Sequence, residues 1–251
     1  MSGHSKWSTI KRQKGVTDAR RGAIFTKLGR EISLAARQGG GDSNANFRLR
    51  LALQKARENN MPMENVERAI KRGVGGVDVA QLLEYNLEGY GTNGVAIMIQ
   101  IVTDNKLRTI QEVRSVFSRH GASISESGSV AWLFENKGII AVDVNPQDAD
   151  DIALFAIDAG AEDVKILKGF IEIYTSPENL EKVRRALDEK KYKVTSAEVT
   201  LSPKTSVDLD EKGALQNLKL IEKLEDLDDV QKVYSNLEFS EEVAEKLHAQ
   251  V

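Results

Sequence analysis

Residues 138–201 read GIIAVDVNPQDADDIALFAIDAGAEDVKILKGFIEIYTSPENLEKVRRALDEKKYKVTSAEVTL. GIIAVDV, EDVKILK, FIEIYTS and YKVTSAEVTL are short runs rich in β-branched and aromatic residues, the composition of strands. PQDADDIALFAIDAG and SPENLEKVRRALDEK carry apolar residues at helical spacing and open on helix-starting residues. The order is βαββαβ, the split-βαβ or ferredoxin-like pattern, complete within this one stretch.

Upstream, LLEYNLEGY and GVAIMIQIV predict two strands, joined by Gly91-Thr92-Asn93-Gly94 as hairpin turn. NKLRTIQEVRSVFSRHG predicts an amphipathic helix with Ile110, Val113, Val116 and Phe117 inward and Gly121 closing it. ASISESGSVAWLFEN predicts one or two strands centred on Val130 to Phe134. This second unit lacks a closing helix and strand. The tail holds such a pair, EKGALQNLKLIEKLE and DDVQKVYSN. A strand at 230–235 needs sheet neighbours, and 81–135 has an open edge to offer; docking of the tail on the nearer sheet is the alternative.

At the N-terminus three helical patterns precede a VGGVDVA linker. In DARRGAIFTKLGREISLAARQ, the residues Ile24, Phe25, Leu28, Ile32 and Ala35 fall in a sector about 100° wide, with Arg20, Lys27, Arg30 and Arg37 on another. Leu49, Ala52, Leu53 and Ala56 form the stripe of the second helix, and Met63, Val66, Ala69 and Ile70 that of the third, which starts at Pro62. The expected fold class is α+β with three domains. These are a small basic helical bundle over 1–76 with a flexible N-terminal arm, and two ferredoxin-like α/β domains, a discontinuous one over 79–135 plus 203–238 and one over 136–202 inserted into it.

Charge divides the chain. Residues 1–76 hold 16 Lys+Arg against 6 Asp+Glu, net +10, and residues 77–251 hold 19 against 32, net −13. A basic module on an acidic body is the pattern of a nucleic-acid-facing segment on a carrier that nucleic acid repels; a lysine-rich solvated surface is the plainer reading. Zero cysteines remove disulfides, thiolate chemistry and cysteine-ligated metals. A cytoplasmic protein is expected, with no secretory signal and no membrane span.

Gly89-Tyr-Gly91-Thr-Asn-Gly94 matches G-x-G-x-x-G but leads into a strand, so no helix N-terminus follows to hold a pyrophosphate. His4, His120 and His248 lack metal-ligand spacing, and the acidic clusters at 148–151 and 225–229 lack the pattern of a calcium loop. No cofactor, metal or catalytic constellation is expected, and the reading is non-enzymatic. The candidate nucleic-acid-binding residues are Lys6, Trp7, Lys11, Arg12, Lys14, Arg20, Arg21, Lys27, Arg30 and Arg37. Trp7 either stacks on an exposed base or anchors the arm to the protein's own core.

GHSKW at 3–7, DARRGAIFTKL at 18–28, NFRLRLAL at 46–53, ERAIKRGVGG at 67–76, EVRSVFSRHG at 112–121, GSVAWLFE at 128–135 and LDDVQKVYSN at 227–236 together resemble the YebC/PmpR family over essentially the whole chain. The resemblance implies a three-domain α/β protein with an N-terminal helical domain. Two departures show: Thr92-Asn93-Gly94 where the family usually has a Pro-Gly pair, and Leu107-Arg108-Thr109 where it has Asn-Arg-Thr. Members include bacterial proteins labelled probable transcriptional regulators and a mitochondrial translational activator of cytochrome c oxidase subunit I. The implied function is therefore non-enzymatic control of gene expression, through ribosomal RNA with easing of elongation at difficult stretches, or through promoter DNA. Residues 1–76 would meet the nucleic acid, and the acidic body suits basic ribosomal proteins.

Overall fold

A computed structural model of the chain describes residues 18–75, 82–145, 148–167, 169–240, 242–243 and 246, with side chains from residue 21 onward. Helices α1 (Asp18–Gly39), α2 (Phe47–Glu58) and α3 (Met63–Val74) come first. Strands β1 (Leu83–Tyr90) and β2 (Ala96–Thr103), helix α4 (Lys106–Arg119) and strand β3 (Ser123–Ser125) follow. Next come β4 (Phe134–Asp143), α5 (Ala149–Ala159), β5 (Asp163–Leu167), β6 (Phe170–Thr175), α6 (Leu180–Glu189) and β7 (Lys193–Pro203). The chain closes with β8 (Val207–Asp208), α7 (Glu211–Glu225), β9 (Val230–Ser235) and β10 (Leu237–Glu238).

The fold is α+β, a helical N-terminal region followed by two sheet-bearing α/β domains, one inserted in the other. Residues 132–205 form a compact unit of their own. Its antiparallel sheet has the order β5-β6-β4-β7, the ferredoxin-like arrangement read from 138–201. Ile140, Val142, Ile171 and Ile173 lie buried in that sheet, and Ile152, Ala156, Val183 and Leu187 are buried residues of α5 and α6. Gly160, at φ 114°, ends α5 in the left-handed region that glycine adopts without strain.

In the other unit, the sheet order is β3-β1-β2-β9, with the β1–β2 hairpin at its centre. Residues 230–235 pair with 97–101 of β2, so the tail closes this sheet. Ile97, Ile99, Ile101, Val113, Phe117, Leu218, Ile221, Leu224 and Val233 make its core. The G-x-G-x-x-G run is the hairpin turn. Asn93 sits at φ 59°, and the Asn217 amide of α7 donates to the Thr92 carbonyl at 3.2 Å and to its hydroxyl at 2.9 Å. A Cβ on Gly91 would collide with Asn217, so that glycine serves close packing.

Two expectations are corrected. Ala131–Leu133 is a 3₁₀ turn rather than strand, and Phe134 opens β4. The cause is Glu88, whose buried carboxylate accepts from the amides of Gly128 at 2.7 Å, Val130 at 2.7 Å and Ala131 at 2.9 Å. Amides satisfied in this way are withdrawn from any strand ladder. Met63, placed on the inward stripe of the third helix, is 64% exposed: the helix starts at Met63 with Pro62 as its N-cap, so this residue stands at the open first turn. Among the described residues no helix is long and apolar enough to cross a membrane.

Candidate nucleic-acid interface

The helical domain is built around a close crossing of α1 and α3. The Ser33 hydroxyl donates to the Ala69 carbonyl at 2.9 Å, and a Cβ on Gly73 would strike the Ser33 carbonyl. Ile32, Ala35, Ala36, Leu49, Ala52, Ala56, Val66 and Ala69 are its buried core. Asn46 fixes the α1–α2 corner. Its side chain caps α2 by accepting from the Leu49 amide at 3.0 Å, which satisfies an otherwise orphaned donor of the first turn. The same side chain donates to the carbonyls of Ala35 at 2.7 Å and Gly40 at 2.8 Å.

Several cations of this basic segment turn inward, to the β3-β1-β2-β9 domain. Lys27 donates to the Glu225 carbonyl at the C-terminal end of α7, where the helix dipole favours a cation. Arg30 donates to the Asp228 carbonyl and pairs with Asp229 at 2.8 Å. Asp229 is 3% exposed and also accepts from Arg108 (2.7 Å), Thr109 (2.6 Å) and Thr103 (3.0 Å). Burial alone would raise its carboxyl pKa; the Arg108, Thr109 and Thr103 hydrogen bonds and the Arg30 charge outweigh it and hold the pKa below the ordinary value. A second tether joins Arg48 of α2 to Glu31 of α1 (3.1 Å) and Glu84 of β1 (2.7 Å). The Glu84 carboxyl is lowered chiefly by the Arg48 hydrogen bond. Arg50 is likewise occupied, donating to the Ser43 carbonyl at 3.1 Å and the Asn44 carbonyl at 2.9 Å.

The sequence-derived site residues therefore separate. Lys6, Trp7, Lys11, Arg12 and Lys14 lie outside the described residues, and Arg20 is described only as a position on α1. Arg21 and Arg37 are exposed on α1. Lys27 and Arg30 are not part of that exposed set: both are half-buried, spent on the α7 end and the turn that follows it. Their place on a cationic helix sector was legible. The acidic turn they face, 198 positions away along the chain, was not.

α3 supplies cations that the reading of α1 missed. Arg68, Lys71 and Arg72 are exposed, Arg68 pairing with Glu64 one turn earlier at 2.6 Å. A groove of about 340 Å³ runs between α1 and α3, with Phe25, Thr26, Gly29 and Arg30 on one wall and Asn65, Arg68, Ala69 and Arg72 on the other, and Met61 at its end. The signal for it was present in the sequence: Asn65, Arg68, Ala69 and Arg72 recur at i, i+3, i+4 and i+7, one helix face. The arrangement offers guanidinium donors suited to bidentate contact with phosphate oxygens beside an aromatic and a thioether wall.

Comparison with known proteins places these features among relatives. A family model described as the TACO1/YebC protein N-terminal domain matches residues 5–76, and one described as the TACO1/YebC second and third domain matches residues 82–237. A probable transcriptional regulatory protein of Dehalococcoides mccartyi is 53% identical over 250 residues, covering 100% of both chains. Another, from Dictyoglomus thermophilum, is 49% identical over 98% of this chain and 100% of its own. Among solved structures, a conserved hypothetical protein of Aquifex aeolicus is 43% identical and superimposes with a TM-score of 0.81, over 89% of this chain and 92% of that one.

Proposed function

Because the chain belongs to the TACO1/YebC family, we propose that it is a non-enzymatic regulator of gene expression that binds RNA through its helical domain and acts on the ribosome, easing elongation at difficult stretches. The observation that carries this reading is the division of charge: net +10 over residues 1–76 on a remainder of −13. Electrostatic attraction to a polyanion reaches only one Debye length, about 8–10 Å at physiological salt. An acidic body of that size is repelled along a duplex, leaving the helical domain to hold alone. A ribosome presents RNA to the basic domain together with cationic protein surfaces that an acidic body can approach.

A second reading, control of transcription through DNA, draws on the names of the relatives, which are called probable transcriptional regulatory proteins. Sucrose-gradient sedimentation of cell lysate separates the two. Salt- and RNase-sensitive migration with ribosomes, lost when Arg37, Arg57, Lys71 and Arg72 are changed to Glu, is the expected result. Wild type remaining at the top of the gradient at every salt would overturn the ribosomal reading and direct attention to promoter footprinting.

A further inference from the structure

The groove between α1 and α3 has a shape and lining that a cationic surface for duplex phosphates does not require. It is an open groove of about 340 Å³. That is the small end of the range of about 300–1,000 Å³ in which proteins hold small ligands. Gly29 keeps it open: a Cβ there would stand 3.9 Å from the Met61 methyl, so any longer side chain would project toward that wall. Phe25 is half-buried on the α1 side, and Arg68 and Arg72, one turn apart on α3, are exposed on the other. Asn65 adds an amide that donates and accepts, the pair of groups that reads a base edge.

Contacts to duplex phosphates need neither a cavity nor an aromatic wall. Unpaired strands present bases that stack on aromatic side chains, and this is how proteins most often read RNA. Resting on the nucleic-acid reading above, we propose that the α1/α3 groove is a pocket for one unstacked nucleotide of an unpaired RNA strand, its phosphate on Arg68 and Arg72 and its base against Phe25 with Asn65 at the edge.

The test uses the full chain and fluorescence anisotropy with short oligouridylate, oligoadenylate and a matched RNA duplex across a salt series. Gly29→Leu fills the groove without altering charge, and leucine is a better helix former than glycine, so the variant is expected to fold. It should bind both single strands about tenfold more weakly, equivalent to about 1.4 kcal/mol, with the duplex unchanged and the salt slope preserved. Arg72→Ala should also weaken single-strand binding and reduce the salt slope by about 0.7, one phosphate contact. Folded Gly29→Leu binding single strands as wild type does, or losing duplex and single-strand affinity equally, would overturn the pocket while leaving the nucleic-acid reading in place. Wild type binding none of the three RNAs would overturn both.

Discussion

Replacing Asp229 with Asn should loosen the joint between the helical domain and the sheet of β1, β2, β3 and β9. The carboxylate is 3% exposed and serves four partners from three elements: Arg30 of α1, Arg108 and Thr109 of α4, and Thr103 of β2. Asparagine keeps an acceptor for one or two of them but removes the charge. Breaking a fully buried pair costs about 3–5 kcal/mol, and hydrogen bonds to a charged group contribute about 1.5–3 kcal/mol each. Arg30 is 19% exposed and Arg108 44% exposed, so water screens part of that. The expected loss is about 2–3 kcal/mol at neutral pH. Urea unfolding followed by far-ultraviolet circular dichroism measures it, read as two transitions if the inserted domain melts separately.

The same substitution carries a pH signature. The native carboxyl is depressed below its ordinary value, so in the folded chain it stays ionised to lower pH than in the unfolded chain. Its contribution is therefore complete above the unfolded pKa of about 3.9 and is lost as pH falls through the lower folded value. The gap between wild type and Asp229→Asn should accordingly be constant from neutrality down to about pH 5 and shrink below about pH 4. A loss under about 0.5 kcal/mol, the ordinary scatter of surface substitutions, would refute the reasoning. So would a gap that persists undiminished through the acid limb.

Glu88→Ala removes the acceptor of three backbone amides, and hydrogen exchange should accelerate at Gly128, Val130 and Ala131. Its cost in the urea assay should be about 2–4 kcal/mol. At Gly73 a Cβ would meet the Ser33 carbonyl and lie 2.7 Å from the Ala36 Cβ. Gly73→Leu should therefore destabilise the helical domain by about 2–3 kcal/mol in the same assay. Changing Lys27 and Arg30 together to Ala removes their contacts with Glu225, Asp228 and Asp229. Stability should fall by about 1–3 kcal/mol while RNA affinity moves less than with Arg72→Ala, a comparison made by anisotropy on the folded variants.

The inserted domain was legible because each of its elements declares itself locally. Strands of five to eleven residues alternate with helices whose buried positions recur at helical spacing, and Gly160 ends α5 where the apolar spacing ends. Pairing of β9 with β2 was accessible for a different reason: an unpaired strand edge must be satisfied somewhere, and the tail held the strand. Val130 to Leu133 resisted because local β propensity lost to a carboxylate 42 positions from Val130, which no window along the chain contains. Asp229 resisted for the same cause. In the sequence it is the last of an acidic cluster at a turn, indistinguishable from its exposed neighbours Asp226 and Asp228 until Arg30 and Arg108 converge on it.

That convergence changes what the basic segment has to offer. A net of +10 over residues 1–76 suggests a uniformly cationic module, yet Lys27, Arg30, Arg48 and Arg50 are matched by carbonyls or carboxylates within the protein. Asp229 and Glu84 supply negative charge on the inner side of the helical domain, while Arg37, Arg57, Lys71 and Arg72 are exposed on its surface. On the nucleic-acid reading proposed above, the exposed cations of α3 rather than the cations at the joint would meet a polyanion. Charge that orients an encounter and charge that holds domains together come from the same residue types, so composition alone could not tell them apart. Only burial and partnership do, which is why the exposed Arg72 of α3 rather than Lys27 and Arg30 is the position where loss of affinity without loss of stability is expected.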